Sequence, residues 1–189
     1  MPSVTIFETA EVLEHKQVSI APITSQYFDD GHIENTFGTI ARFGIQDNRE
    51  LRLRLEYFAE YDQYFFEVSE KRALSENTAF SVPFQVYNIT NISFNDGQFG
   101  DERSIILGTD PRFIWSKRHP NNKLVVSFVP HCIVSMMVSQ GFSAMIAPGC
   151  ALGLGLSSNL DKWALRTEFS TLYLQSGGIL TAIGVGIEF

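Results

Sequence analysis

Seven consecutive residues, Leu51-Arg52-Leu53-Arg54-Leu55-Glu56-Tyr57, place a large apolar side chain at every odd position and a charge at every even one. Successive side chains of a strand point to opposite faces, so this run reads as a strand with one greasy and one charged face. A helix would spread the same charges around its whole circumference. Period two returns over Ile33–Ile45, where Phe37, Ala41, Phe43 and Ile45 oppose Glu34, Thr36, Gly38 and Arg42. It returns again with Trp163, Leu165, Phe169 and Tyr173 against Ala164, Arg166, Glu168 and Ser170. The last strand sets Ile179, Ile183, Val185, Ile187 and Phe189 against Ala182, Gly184, Gly186 and Glu188. No segment shows a 3.6-residue period. The chain is all-β.

The pattern predicts about ten strands, over 17–28, 33–46, 50–60, 64–70, 78–90, 104–116, 123–137, 143–156, 163–174 and 178–189. Their separators are short and turn-like: Asp29-Asp30-Gly31, Asp47-Asn48, Lys71-Arg72, His119-Pro120-Asn121-Asn122, Ser157-Ser158-Asn159 and Ser176-Gly177-Gly178. Only Asn91–Arg103 is a long connection. A partial repeat, Leu51–Tyr57 against Trp163–Phe169, ends in Arg-x-Glu-aromatic in both copies and fits hairpin construction. No linker divides the chain. Residues 1–14 read as an N-terminal lead-in on the periplasmic side, and 15–189 as a single barrel domain.

Composition narrows the functional classes. At 189 residues, with 44% hydrophobic and 13% aromatic residues, the chain can bury a sizeable core and is not a disordered one. A net charge of -7 gives no electrostatic reason for a nucleic-acid partner. Two cysteines make neither a disulfide framework nor a thiolate metal site. No run is long and apolar enough for a membrane-spanning helix, but a membrane-spanning barrel shows alternation rather than a run.

Which face is inside decides between two barrels of identical period. All five lysines (Lys16, Lys71, Lys117, Lys123, Lys162) fall at predicted strand ends or turns, and the mid-strand charges are mostly Arg and Glu. The row Ala147, Gly149, Ala151, Gly153, Gly155 makes one face of its strand small. Small residues with scattered ion pairs suit a narrow lumen; Leu152, Leu154, Leu156, Trp163, Leu165 and Phe169 suit a surface that meets lipid. In water those side chains would form an apolar patch larger than monomers tolerate. The alternative is a soluble or periplasmic lipocalin-like barrel that turns the same face inward around a lipophilic ligand.

The stretch Gly153-Leu154-Gly155-Leu156, then Lys162–Phe169, and the ending Ile187-Glu188-Phe189 resemble small bacterial outer-membrane β-barrel proteins of porin-like type. Thr9-Ala10-Glu11-Val12-Leu13 is similar to lead-ins of such proteins and of their lipoprotein relatives. The resemblance implies a transmembrane, antiparallel, up-and-down barrel of an even strand number, about ten, with eight or twelve as alternatives. It also implies an outer-membrane location after removal of a leader, both termini on the periplasmic side, membrane lipids as partners, and contact with the barrel-insertion machinery through Phe189. Met1-Pro2-Ser3-Val4 carries no basic or apolar leader of its own.

The inward face carries Arg42, Arg52, Arg54, Glu56, Glu67, Arg166, Glu168 and Glu188, four of each sign. Charges enclosed in a lumen must be paired or hydrated. They read either as a network that seals the barrel or as a constriction that sets solute selectivity. Folding about Asn48 sets Arg42 opposite Arg54, an arrangement that needs a carboxylate or an anion between them. Cys132 and Cys150, equidistant from Gly141, read as cross-strand neighbours, either bridged or simply small and apolar. His131 lies mid-strand with Ser127 and Ser135 four residues to either side, the sole hint of hydrolase chemistry; no cofactor motif and no metal-ligand spacing accompanies it. Pro22, Pro83, Pro130 and Pro148 fall inside predicted strands and mark bulges or an indented wall that could pack on a second copy. The expectation is a non-enzymatic outer-membrane barrel without cofactor or metal, porin-like or envelope-structural, as a monomer or a lipid-contacting homo-oligomer.

Overall fold

The computed structural model describes residues 5–29, 32–60, 62–95, 98–138, 142–174 and 177–189, with side chains described except at 29, 32, 88–95, 98–104, 137–138 and 142–143. Every regular element among them is a strand: β1 (Val18–Asp29), β2 (His32–Gln46), β3 (Arg49–Phe58), β4 (Gln63–Ser75), β5 (Thr78–Asn95), β6 (Gln98–Thr109), β7 (Arg112–Arg118), β8 (Leu124–Val138), β9 (Phe142–Leu156), β10 (Ala164–Tyr173) and β11 (Ile179–Glu188). All pairings are antiparallel, and β1 pairs β11 from Ile23↔Gly186 to Phe28↔Thr181, which closes the sheet.

The barrel has ten wall positions, because β6 and β7 share one. β6 runs beside β5 from Asn95↔Gln98 to Phe84↔Thr109, and β7 continues the line from Ser81↔Arg112 to Thr78↔Trp115. Both halves also pair β8. Asp110 and Pro111 interrupt the strand, Pro111 having no N–H to give a ladder.

Three expectations change in detail. Lys71-Arg72 is not a turn: β4 runs on to Ser75, and the turn is Glu76-Asn77. The inward alternation Glu67, Ser69, Lys71 simply continues. Asn91–Arg103 is not a long loop but the paired arms of β5 and β6, meeting at Asn95↔Gln98. Asn, Asp and Gly are weak strand formers, and here main-chain pairing outweighs them. The strand expected at 104–116 begins at Gln98 and carries the break at Asp110-Pro111.

The start of β1, the end of β11, and the turns at 47–48, 76–77, 119–123 and 157–163 share one end of the barrel, here the terminal mouth. The inverted distribution of side chains is the main property of the wall. Exposed large apolar residues occur on all eleven strands, while the fully buried large side chains include Arg52, Arg54, Arg112 and Lys71. Toward the far end the lumen closes with an apolar layer containing Tyr27, Phe58, Phe65, Tyr87, Leu172 and Leu180.

Candidate functional site: a lumen threaded by the N-terminal segment

Residues 5–10 are buried within the barrel. The segment expected as a lead-in outside the wall instead enters the lumen at the terminal mouth and climbs toward the far end. Two wall glycines admit it. A Cβ at Gly44 would lie 1.8 Å from the Glu14 carbonyl oxygen, and one at Gly184 would lie 2.3 Å from the Phe7 ring. The segment belongs to no strand, so the lumen must supply partners for its main-chain groups.

Those partners are the inward charges. Glu168 accepts the main-chain N–H groups of Ile6 and Phe7, the latter at 2.5 Å. Phe7 has φ 51, in the left-handed region, and consecutive N–H groups in such a turn form a concave site for an anion. Arg52 donates to the Ile6 carbonyl and Arg54 to the Thr5 carbonyl. Lys71 Nζ donates to the carbonyls of Glu11 at 2.7 Å and Thr9 at 3.3 Å. Ser116 Oγ accepts the Ala10 N–H at 2.8 Å.

Two acidic side chains of the segment pair with the wall: Glu11 is held by Arg118 at 2.6 Å near the terminal mouth, and Glu8 joins the network deeper in. Glu8 Oε1 lies 2.8 Å from Arg52 Nη1 and 2.8 Å from Arg112 Nη1. Glu67 bridges the same two arginines from the wall, at 2.8 Å and 2.5 Å. Arg112 also donates to Asp110, which in turn bonds His131 Nδ1 at 2.8 Å. Below this layer Arg42 is held by Glu50 and Glu188, and Arg166 by Glu188. Arg42, Arg52, Arg112 and Arg166 each have a carboxylate partner, as a low-dielectric enclosure requires, whereas Glu168 is held by main-chain N–H groups and the Ser170 hydroxyl.

All eight lumen residues expected from the sequence project inward. Arg42, Arg52, Arg54, Glu56, Glu67 and Glu168 are buried, and Arg166 and Glu188 are half-buried near the terminal mouth. The register corrects one detail: Arg42 faces Arg52, not Arg54, because the turn centres one residue earlier and β2 carries an irregularity between Gly44 and Gln46. Carboxylates do separate the two arginines. Glu50, Lys71, Asp110, Arg112 and the whole segment were missed, although Glu50 and Lys71 continue the alternation of their strands.

Leu152, Leu154, Leu156, Trp163 and Phe169 are exposed on the outer face, and Leu165 is half-buried there. A ligand-binding barrel with this face turned inward is therefore not what the chain builds. Cys132 faces Pro148 and Cys150 faces Pro130, so the cysteines are diagonal rather than opposed, and both are free. Among the described residues no hydroxyl hydrogen-bonds His131, whose Nε2 is buried without a partner, and no cluster suited to a metal ion occurs. The terminal mouth opens into a cavity of about 630 Å³, lined in part by Glu11, Arg42, Arg118, Trp163, Arg166 and Glu188.

The chain is a closed β-barrel with a threaded lumen. No protein-family model and no curated protein matches it. Solved structures with a similar course of backbone include the N-terminal β-barrel domain of Pseudomonas aeruginosa OprF, at TM-score 0.42 and 14% identity over 94% of this chain and 100% of that one. Neisserial surface protein A is similar at TM-score 0.45 and 8% identity over 90% and 94% of the two chains. Ail, the attachment invasion locus protein of Yersinia pestis, is similar at TM-score 0.36 and 11% identity over 91% and 96%.

Proposed function

We propose that this chain is a barrel of a bacterial outer membrane that seals itself and serves the envelope structurally rather than as an open porin. The observation that carries this reading is the inverted wall: ionised Arg and Glu fill the middle while large apolar side chains cover the outside of every strand. Water would leave that outside exposed at a heavy cost; acyl chains would not. Strands of ten or more residues suffice to cross the hydrocarbon core when tilted, and ten of the eleven strands reach that length.

Closure follows from the threaded segment together with the apolar layer near the far end. Both occupy the lumen, which supports closure, and the enclosed charges would serve as internal glue. The exposed Phe189, whose main chain pairs with Ile20, is the aromatic that barrel-insertion machinery would recognise. The prolines of β5, β8 and β9 mark the part of the wall on which a second copy would pack. A non-enzymatic role is part of this proposal; His131 Nδ1 is engaged by the Asp110 carboxylate.

Membrane residence is tested by extraction. The chain should partition with the membrane fraction and stay monodisperse only in detergent; a monodisperse preparation from aqueous lysate overturns the reading. Closure is tested in planar bilayers, where the intact chain should give no conductance steps. Steps in the intact chain would support a porin instead. Native mass spectrometry in mild detergent reports the number of copies.

A further inference from the structure

We propose that the lumen is a binding site for an extended acidic peptide, and that residues 5–14 are its resident, exchangeable occupant. The inference rests on the geometry of the lumen and stands whether or not the wall meets lipid.

Most of the recognition is directed at main chain. Glu168 takes two successive N–H groups, Ser116 takes a third, and Arg52, Arg54 and Lys71 give protons to carbonyls at positions 5, 6, 9 and 11. These groups belong to main chain that every peptide possesses, and a left-handed turn at the seventh residue (Phe7 φ 51) brings two N–H groups together on Glu168, so this part of the site fixes backbone course and direction with little reading of sequence. Sequence enters at five positions; two are Thr5, whose Oγ1 accepts from Arg54 Nη2 at 2.8 Å, and Glu11, held by Arg118 Nε and Nη2 at 2.6 Å, and the other three are consecutive. Ile6 packs with Ala79, Ile114, Val129 and Ala151. Phe7 occupies the space that the missing side chain of Gly184 leaves. Glu8 must be acidic, because it is shared by Arg52 and Arg112. The pattern read is apolar, aromatic, acidic.

The segment is tied to the wall as a ligand is, by non-covalent contacts along its length. Its covalent link to β1 is the exposed turn at His15-Lys16, where Lys16 has φ 68. A short tether raises the local concentration of the segment to the millimolar range, so a modest intrinsic affinity keeps the site filled. Cutting the tether converts the occupant into a separate peptide and leaves its contacts with the lumen wall untouched.

The test uses the full chain with a site for a sequence-specific protease inserted at His15-Lys16, folded in detergent before cleavage; the chain without the insertion is the control. A fluorescein-labelled peptide of residues 5–14 is then added in excess, and its uptake is followed by anisotropy and native mass spectrometry. The labelled peptide should replace the resident fragment only in the cleaved barrel. Unlabelled peptide should compete, and its Glu8→Lys form should compete more than about tenfold worse. The proposal is overturned if the cleaved barrel, still folded by heat-modifiable mobility, takes up no label, either because the resident never leaves or because the newcomer is not held. Equal competition by the Glu8→Lys peptide overturns it as well.

Discussion

Glu8 Oε1 lies 2.8 Å from Arg112 Nη1, a contact between residues 104 apart in sequence that fastens the threaded segment to the interrupted wall strand. Both arginines that hold Glu8 also hold Glu67. Replacing Glu8 by Gln leaves Arg52 with Glu67, and Arg112 with Glu67 and Asp110, so the cost should fall near the lower end for a broken buried pair, about 3 kcal/mol. Glu67→Gln should cost more, because Glu67 is paired through both of its oxygens. Denaturant midpoints in detergent rank the two variants.

Gly184 leaves space for a ring. Valine there would drive Phe7 from its seat, an overpacking that costs about 1–3 kcal/mol and falls on the segment rather than on the β1–β11 pairing. Hydrogen exchange at the amides of Ile6 and Phe7 should accelerate while amides of β1 and β11 keep their protection. Uniform acceleration across both groups would show that the wall, not the segment, had yielded.

The outer face should respond to charge according to depth. Phe169 sits mid-strand in β10 and Tyr173 at its far end, both exposed. Phe169→Arg should cost about 2–4 kcal/mol in liposomes, and Tyr173→Arg about 0–1 kcal/mol. Equal costs at both positions would argue that no hydrocarbon surrounds the wall.

At the terminal mouth, Asp161 accepts from Arg118 Nη1 at 2.6 Å and from Asn122 at 2.9 Å. The hydrogen bond from Arg118, then that from Asn122, holds this carboxyl below its usual range. A depressed folded value means that the contribution is complete above the unfolded value, about 3.9, and is lost as pH falls through the lower folded one. The stability gap between the intact chain and Asp161→Asn should therefore hold at neutral pH and close under acid. The group is solvent-exposed, so the gap is small; unfolding midpoints taken down to about pH 2 measure it.

Face orientation was legible in the sequence because period two records it residue by residue: Arg52, Arg54 and Glu56 could not turn inward without Leu53 and Leu55 turning out. Register was less legible. A turn centre one residue off, with a bulge beside Gly44, exchanges the partner of Arg42, and alternation is blind to shifts of two. Lys71 was hidden by its type, lysine being rare in a buried position unless carbonyls and a carboxylate surround it. The threaded segment was hidden most deeply. It joins no ladder, most of its partners address main chain that every residue possesses, and of its side chains Glu8 and Glu11 enter ion pairs with the wall.

Ile6 and Glu168 meet across 162 residues. The seam of the wall, β1 against β11, joins the first strand made to the last. Stowing the N-terminal residues and zipping that seam are consequently two events in competition. A wall that zips early leaves a hollow into which the segment must afterwards work its way from one mouth, like a cork. A segment taken in early becomes a mandrel around which the staves are laid. Such distant contacts make assembly slow in either order.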